Sequence, residues 1–259
     1  MSFNDGAIQS ARRLCASSAS DRGTIRNHNE DAWFAAVDRG LFIVGDGLGG
    51  HAGGEVAAAM VVKHLPTLLD DALDFTLPLH VPESAIFLEN AINKLNRMIC
   101  DAGQDHPELA GMGSTVVLAM IQSGELLIAH VGDSRAYLLR DSQLERLTKD
   151  HSAVQVMLDD GLISPDEAVV HPSRSIVSQC IGSPRTVTPS IRCLNFQNED
   201  RLLLCSDGLT NMLADQRIEG ILKRQADVDT VSRDLIQAAI DAGGEDNVTV
   251  VVVEASQVE

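Results

Sequence analysis

Four aspartates stand beside apolar runs, in positions where grouped carboxylates can do chemistry. Asp46 follows "LFIVG", Asp133 follows "LLIAHVG", Asp207 follows "RLLLCS", and Asp246 precedes "NVTVVVV". A single aspartate beside a strand is usually a turn former, because its side chain bonds the local backbone. If the strands are neighbours, the four carboxylates form a cluster that repels itself unless cations neutralise it. An all-oxygen set favours Mg²⁺ or Mn²⁺, and no His or Cys pair has the spacing of a zinc site.

Such a cluster suits the hydrolysis of phosphate esters, because two cations can generate hydroxide and shield the phosphoryl oxygens. The reaction also needs a fixed cation for the phosphate, and arginine offers a planar fork that holds two oxygens. The polar segment "SDRGTIRNHNED" contains Arg22 and Arg26, of which Arg26 is the first candidate and Arg22 its rival. Either arginine could equally be a surface cation that balances nearby acids, since Glu30 and Asp31 end the same segment.

The glycine-rich turn at residues 45–50 fits two different uses. Its sequence, "GDGLGG", satisfies GxGxxG between a strand and a helix, which is typical of dinucleotide binding. Asp46 opposes that use, because its charge would repel a pyrophosphate. The other use brings the carbonyl oxygen of Gly47 close to a metal. His51 in the same turn either protonates a leaving alkoxide or only shapes the turn.

Short apolar runs and longer amphipathic stretches must position these side chains. The runs are rich in Val, Ile and Leu, and tight links such as "DRG" and "QSGE" join several of them, which favours antiparallel strands. We predict strands at 33–37, 41–44, 115–121, 126–131, 136–140, 201–205 and 248–253. We predict helices at 55–65, 83–100, 217–225 and 230–242.

The segment at about 150–189 differs in character from the rest of the chain. It has few strand-like runs, and "SPDE" at 164–167 has a capping serine, a first-turn proline and a glutamate, which predicts a short helix. The segment is either a flap on the main body or an ordinary helical connection. Since we find no linker, repeat or low-complexity tract, we predict that residues 1–259 form a single domain.

The overall composition indicates which partners and which cellular compartment suit the protein. A net charge of −17 without a basic cluster argues against a nucleic-acid partner, whose own charge would be repelled. Five cysteines without a CxxC pair argue against a disulfide framework and favour a reducing compartment. No apolar stretch approaches the ~18 residues of a membrane span, and the N-terminus lacks a signal core. We therefore expect a cytoplasmic protein with no membrane partner.

Seven sequence motifs follow one another from Ser20 to Val253. They are "SDRGTIRNHNED", "VGDGLGGHAGGE", "GSTVV", "VGDSRAYLLR", "LTKDHS", "CSDGLTNML" and "GGEDNVTVVVV". In this order they resemble the PP2C (PPM) family of metal-dependent Ser/Thr protein phosphatases, in its compact bacterial form. The resemblance implies an α+β fold, an α-β-β-α sandwich of two antiparallel sheets flanked by helices with a flap insertion. It also implies hydrolysis of phosphoserine and phosphothreonine esters on proteins by direct attack of hydroxide, reversing a partner Ser/Thr kinase.

The resemblance also implies two central Mn²⁺ or Mg²⁺ ions and a third, weaker ion. Asp46 matches the carboxylate that both central ions share, and Gly47 matches the carbonyl ligand. Two further aspartates, Asp207 and Asp246, match the remaining ligands of one central ion. Asp133 matches a residue that holds the third ion together with Asp207.

The catalytic roles that the resemblance implies fall to Arg26, Asp31 and His51. Glu30 and Asp31 match the acidic pair that contacts the second central ion, directly or through water. Arg26, four residues before Glu30, matches the phosphate-binding arginine. Many eukaryotic members have a histidine directly after Asp-Gly, whereas this chain has Leu48 there. His51 is therefore the candidate general acid only because it lies three residues further along the same turn.

Two other functions stay open beside the protein phosphatase. One is an inactive pseudophosphatase that binds phosphoproteins, although such proteins usually lack a metal carboxylate and none is missing here. The other is a phosphatase for a small metabolite, which would use the same chemistry. We expect a monomer whose partners are phosphorylated proteins and a cognate kinase.

Overall fold

The computed structural model of the chain describes residues 12–49, 52–71, 73, 75 and 81–257. The strands in these ranges are β1 (Arg12–Asp21), β2 (Asp31–Ala36), β3 (Leu41–Leu48), β4 (Gly113–Ser114), β5 (Val116–Gln122), β6 (Glu125–Val131), β7 (Arg135–Arg140), β8 (Gln143–Arg146), β9 (Ser190–Asn195), β10 (Arg201–Cys205) and β11 (Val248–Gln257). The α-helices are α1 (Ala52–Asp70), α2 (Val81–Asp105), α3 (Ala153–Asp159), α4 (Pro165–Val170), α5 (Asp207–Thr210), α6 (Asp215–Leu222) and α7 (Val228–Asp241). No helix in the described ranges combines the length and apolarity needed to cross a bilayer.

The strands form two antiparallel sheets. One has five strands in the order β1-β11-β10-β7-β8, and the other has the order β2-β3-β5-β6-β9 with short β4 paired to β3. Two-residue turns close the β5–β6 and β7–β8 hairpins. Both central residues of each turn have positive φ, which matches the right-handed twist of a hairpin, and they are Ser123, Gly124, Asp141 and Ser142.

The apolar side chains form three layers, because successive side chains of each strand point to opposite faces of its sheet. In β3, Leu41 packs under α1 and α2, whereas the next residue, Phe42, faces the other sheet. In β11, Val251 faces the six-stranded sheet, whereas Val250 packs under α5, α6 and α7. Successive residues of a strand point to opposite faces, so a continuous apolar run marks a strand that is covered on both sides. The layers therefore stack as α-β-β-α, and the predicted fold class is confirmed.

Most predicted elements are present with different bounds. The predicted strand 201–205 coincides with β10, and the other six predicted strands overlap β2, β3, β5, β6, β7 and β11. The predicted helices overlap α1, α2, α6 and α7, although α6 ends at Leu222 rather than at residue 225. The main strands that sequence patterns missed are β1, β8 and β9, which all lie at sheet edges. Their outer faces meet solvent, so they carry polar residues instead of an apolar run.

The segment at 150–189 contains α3 and α4. Ser164 caps α4, and the Glu167 side chain accepts from the Ser164 N–H at 2.8 Å, so the predicted helix start is confirmed. Both helices lie wholly within the described ranges, and none of their residues is buried. Two isolated bridges tie the segment to itself and to the body, Ser152 to Val177 and Ser114 to Ile181.

Candidate functional site

The strand-end aspartates lie at one end of the sandwich, between the two sheets. Asp46 is near the end of β3 and is the register partner of Asp31 in β2. Asp207 begins α5 after β10, Asp133 lies in the β6–β7 turn, and Asp246 stands two residues before β11. Burial raises the pKa of Asp46 well above its usual range, and the charges of the other four carboxylates raise it further. The structure therefore brings these carboxylates close enough for their charges to interact.

Asp31 has a carboxylate oxygen that the described residues leave without a hydrogen bond. Its Oδ2 accepts from Ser206 Oγ at 2.7 Å, whereas its Oδ1 is buried without a hydrogen-bond partner in the described structure. Burial raises the pKa of Asp31 to about 7, although the hydrogen bond from Ser206 favours the charged form. A buried acceptor without a donor is costly, so Oδ1 indicates a ligand that the described residues do not supply.

Asp133 lies within range of the charge of Asp207 on the side of the site near the 150–189 segment. Burial raises the pKa of Asp133 to about 7, and the charges of Asp207 and Asp150 add to this. The pKa of Asp207 is raised as well, first by burial and then by the charge of Asp246. Asn211 offsets part of this, because its Nδ2 donates to Asp207 Oδ2 at 3.0 Å.

Gly47 allows a close backbone approach at the centre of the site. Its N–H donates to the carbonyl of Glu30 at 3.1 Å. A Cβ at this position would lie 2.3 Å from the carbonyl oxygen of Gly54 and 2.6 Å from that of Glu30, so only glycine fits. The Glu30 side chain in turn approaches the first turn of α1, where a Cβ on Gly54 would lie 2.6 Å from Glu30 Oε2.

The close packing at this turn also bears on where α1 begins and on the dinucleotide alternative. Helix α1 begins at Ala52, three residues before the predicted start at Glu55, because Gly53 and Gly54 make room for the packing of its first turn. The Glu30 carboxylate also lies beside the first turn of α1, where its charge would repel the pyrophosphate of a dinucleotide. His51, the candidate general acid, lies outside the described residues.

Arg26 lies beside the carboxylates at the mouth of the site. Its Nη2 donates to Asp246 Oδ2 at 2.8 Å, and 51% of its side chain remains exposed. Burial raises the pKa of Glu30, and the charge of Arg26 lowers it again. The Arg26 guanidinium therefore lies near both Glu30 and Asp246. A cleft of about 600 Å³ opens at this point, and it is lined by Ile25, Arg26, Asn27, His28, Glu30, Glu55 and Asn247.

Arg22, the rival arginine, has weaker contacts. Its Nη1 lies 3.4 Å from the carbonyl oxygen of Asn27, and it forms no ion pair within the described part of the chain. It does not line the cleft that contains Arg26. The geometry therefore favours Arg26 as the arginine that meets an incoming anion.

Asn247 holds the Arg26 segment in place, a role that sequence reasoning missed. Its Oδ1 accepts from the Glu30 N–H at 2.8 Å, and its Nδ2 donates to the carbonyls of Arg22 and His28 at 2.9 Å. The side chain is 5% exposed, so these bonds are sheltered from water. Its place directly after Asp246 was the available signal, because a buried amide next to a candidate ligand is suited to positioning it.

Thr115 plays the corresponding role behind Asp46. Its Oγ1 accepts from the Asp46 N–H at 3.0 Å, and its own N–H donates to the Asp46 carbonyl at 2.8 Å. The same hydroxyl lies 2.7 Å from Ser134 Oγ, beside Asp133. One buried threonine therefore connects the backbones that carry two of the candidate carboxylates.

The donor set fits hard divalent cations. Its members are carboxylates and one backbone carbonyl, and all are oxygen donors, as Mg²⁺ and Mn²⁺ prefer. Within the described ranges, no three His, Cys, Asp or Glu side chains already surround a single metal position. Bare carboxylates repel one another, so cations are needed to neutralise a set that is brought together. The buried Oδ1 of Asp31 and the raised carboxyl pKa values are the features that a bound cation would relieve.

We predict that the carboxylates make the metal-free protein less stable as the pH rises. The folded pKa values of Asp31 and Asp133 are about 7 against ordinary values of 3.8, so their contribution is fully present below 3.8 and is lost by about pH 7. In chelator, the Tm of wild type relative to an Asp31→Asn, Asp133→Asn variant should fall by roughly 5 °C or more between pH 4.5 and 8.

The comparison with the double variant removes an opposing effect. Burial lowers the pKa of His151 to about 4 and also lowers that of His130, so both histidines favour folding as the pH rises toward 6.5. They are present in both proteins and cancel in the difference. Addition of Mn²⁺ at pH 8 should raise the Tm of wild type more than that of the variant. A difference that stays constant with pH would show that the two carboxyls titrate normally.

The fold and the site together define a class of protein. Two antiparallel sheets between helices, with an all-oxygen acidic site at one end and an arginine at its mouth, are the arrangement of a metal-dependent phosphoesterase. A family model described as Protein phosphatase 2C matches residues 22–239. The chain belongs to the protein phosphatase 2C family.

Relatives agree over nearly the whole chain. The chain is 41% identical over 238 residues to the serine/threonine phosphatase stp of Listeria welshimeri, covering 90% of this chain and 93% of that protein. It is 34% identical to the protein phosphatase PhpP of Streptococcus pneumoniae, covering 92% and 96%. The crystal structure of the Mycobacterium tuberculosis serine/threonine phosphatase PstP/Ppp superposes with a TM-score of 0.84 at 37% identity, covering 94% of this chain and 99% of that one.

A further solved structure is the catalytic domain of a PstP phosphatase in complex with two manganese ions. It has a TM-score of 0.81 and 33% identity, and the match covers 95% of this chain and all of that domain. The shared fold extends through the segments that carry the acidic site.

Proposed function

We propose that this chain is a protein serine/threonine phosphatase that hydrolyses phosphoserine and phosphothreonine esters with Mn²⁺ or Mg²⁺ as its cofactor. The observation that carries this proposal is the group of buried carboxylates next to the half-exposed guanidinium of Arg26. Among these carboxylates, Asp31 Oδ1 has no hydrogen-bond partner among the described residues. An anionic ester needs both features, since the acids alone would repel it. The relatives named as serine/threonine phosphatases support the choice of substrate.

The proposed metal ligands are the oxygen donors described above. Two central ions would be held by the side chains of Glu30, Asp31, Asp46, Asp207 and Asp246 and the carbonyl of Gly47. Asp133 and Asp207 would hold a third, weaker ion. When bound, the ions lower the pKa of water toward neutrality and neutralise the phosphoryl oxygens.

The residues of the chain then orient the reaction. Arg26 presents its free N–H groups to two phosphoryl oxygens, while its bond to Asp246 fixes the plane of the fork. Asp31 is held through Oδ2 by Ser206, which leaves Oδ1 as an acceptor for the attacking water. The cleft of about 600 Å³ beside Arg26 receives the phosphorylated side chain. His51 is the proposed proton donor to the leaving alkoxide.

The proposed function has consequences for partners and organisation. A phosphoprotein phosphatase reverses a cognate Ser/Thr kinase, and we propose that both act in the cytoplasm. We also propose that the chain works as a monomeric single domain whose 150–189 segment is a flap beside the site. No residue of α3 or α4 in that segment is buried, which agrees with a surface position.

A phosphothreonine peptide assay tests the proposal directly. We expect release of inorganic phosphate in Mn²⁺, little release in chelator, and recovery when Mn²⁺ is restored. No metal-dependent release from folded protein would rule out the enzyme, and tight phosphopeptide binding without release would identify a pseudophosphatase. A kcat/KM at least tenfold higher for a small phosphate metabolite than for any phosphopeptide would instead favour the metabolite phosphatase.

A further inference from the structure

His151, in the "LTKDHS" motif, joins three parts of the molecule but has no role in the proposed chemistry. Its Nδ1 accepts from the Gly132 N–H at 3.3 Å, and its own N–H donates to the Gly132 carbonyl at 2.9 Å. Its Nε2 lies 3.0 Å from Ser190 Oγ in β9. Its carbonyl accepts from Ser178 N–H at 2.8 Å, at the returning end of the 150–189 segment.

The turn that His151 holds is the one that carries Asp133. Gly132 has a φ of +106°, and a Cβ there would lie 2.6 Å from Thr115 Cγ2, so the turn is fitted closely against β5 on its inner side. On its outer side it meets the His151 ring. Within the described structure, the Asp133 carboxylate is close to its own backbone amide and receives no hydrogen bond from another side chain. Its position therefore depends on the backbone of the turn.

The ring of His151 is itself fixed. It stacks on His130 with centroids 4.7 Å apart and an angle of 24° between the planes. His130 is 3% exposed, and its Nε2 lies 2.8 Å from the Lys149 carbonyl, so that nitrogen carries the proton. The bond from the Gly132 N–H requires an unprotonated Nδ1 on His151, which leaves Nε2 to donate to Ser190. The tautomer and the plane of the ring are both determined by its neighbours.

We propose that His151 is a positioning residue, which holds the Gly132–Asp133 turn through its Nδ1 so that the Asp133 carboxylate faces Asp207. This inference rests on the proposed function, in which those two acids hold the weakest ion. His151 does not touch the reacting atoms. Its contribution is to keep the Asp133 carboxylate in place, since that carboxylate receives no side-chain hydrogen bond within the described part of the chain.

Three variants at this position separate the two ring nitrogens. The side-chain oxygen of Asn lies about where Nδ1 lies, and the end of Gln lies about where Nε2 lies, so His151→Asn keeps the acceptor for Gly132 and His151→Gln loses it. Calorimetric Mn²⁺ titration should show about tenfold weaker binding at the weakest site for His151→Gln and His151→Ala. His151→Asn should stay within about twofold of wild type. Ser190→Ala, which removes only the Nε2 contact, is the matched control and should bind Mn²⁺ as wild type does.

The outcomes separate this inference from the function on which it rests. Mn²⁺ binding equal to wild type in the Gln and Ala variants would overturn it, even if their Tm falls, because that pattern shows a purely structural histidine. If His151→Asn and His151→Gln weakened Mn²⁺ binding equally, the inference would be overturned as well. The hydrogen-bond acceptor at the Nδ1 position would then have no effect on binding. If the Ala variant does not fold, the comparison of Asn with Gln decides. If wild-type protein bound Mn²⁺ at two sites only and still released phosphate, there would be no weak site for His151 to support. That result would overturn this inference and leave the proposed function intact.

Discussion

Asp46→Asn should abolish the release of phosphate from a phosphothreonine peptide, with a fall in kcat/KM of about 10³-fold or more. Asp46 is buried, and the charges of Asp31, Asp207, Asp133 and Asp246 all raise its pKa further, which places it among these acids. Its backbone is fixed on both sides by Thr115, so the amide of the variant would occupy the same place. An amide is a weaker, neutral ligand, and it removes the charge that two adjacent cations would share.

The same substitution should have the opposite effect on stability without metal. Removing one buried negative charge relieves repulsion, so the Tm in chelator should rise by about 3 °C or more at pH 8. The increase in Tm on adding Mn²⁺ should shrink at the same time. Asp101→Asn, on the exposed face of α2, is the matched control and should change neither quantity. Near wild-type turnover of Asp46→Asn at limiting Mn²⁺ would place the metal site elsewhere.

Arg26→Ala should lower kcat/KM for the phosphopeptide by about 100-fold, which corresponds to about 2.7 kcal/mol of lost transition-state stabilisation. The guanidinium is half exposed, opens into the cleft and is held by Asp246, so it is prepared to bind two oxygens at once. Arg26→Lys should recover only part of the loss, because an ammonium group keeps the charge but cannot form the planar fork. The measurement is steady-state kinetics at saturating Mn²⁺.

Arg22→Ala is the matched comparison for Arg26, since it removes the same charge four residues away. We expect a change in kcat/KM of less than about threefold, because Arg22 lies outside the cleft and forms no ion pair within the described structure. If Arg22→Ala caused the larger loss, the roles of the two arginines would have to be exchanged.

Much of the fold follows from local patterns in the chain. Strands β5, β6, β10 and β11 are covered on both faces, so each appears as a continuous apolar run that needs no knowledge of its neighbours. Edge strand β1 has the sequence "RRLCASSASD", and only its pairing with β11 makes it a strand. Pairing between residues so far apart along the chain has no local signal. The edge strand β1 therefore could not be predicted from sequence, whereas the edge strand β2 could, because it overlaps the apolar run at 33–37.

The candidate site shows a similar division. The carboxylates could be selected because each stands at the end of a predicted strand. The hydrogen bonds that position them could not, because Asn247, Thr115 and His151 act on residues between 19 and 225 positions away. Choosing between Arg22 and Arg26 also needed the fold, since the two differ only in which one reaches Asp246 and the cleft.

The pairing of β1 with β11 has a consequence for the synthesis of the protein. Strand β11 lies between β1 and β10, so the five-stranded sheet cannot close until residues 248–257 have been made. Asp246 and Asn247 arrive with that strand, and they complete the acidic site. A nascent chain with all of β2 to β10 would therefore expose the inner face of the other sheet, and it would depend on chaperones or rapid completion to avoid aggregation. The addition of β11 therefore completes the acidic site and covers the exposed sheet in the same late step of synthesis.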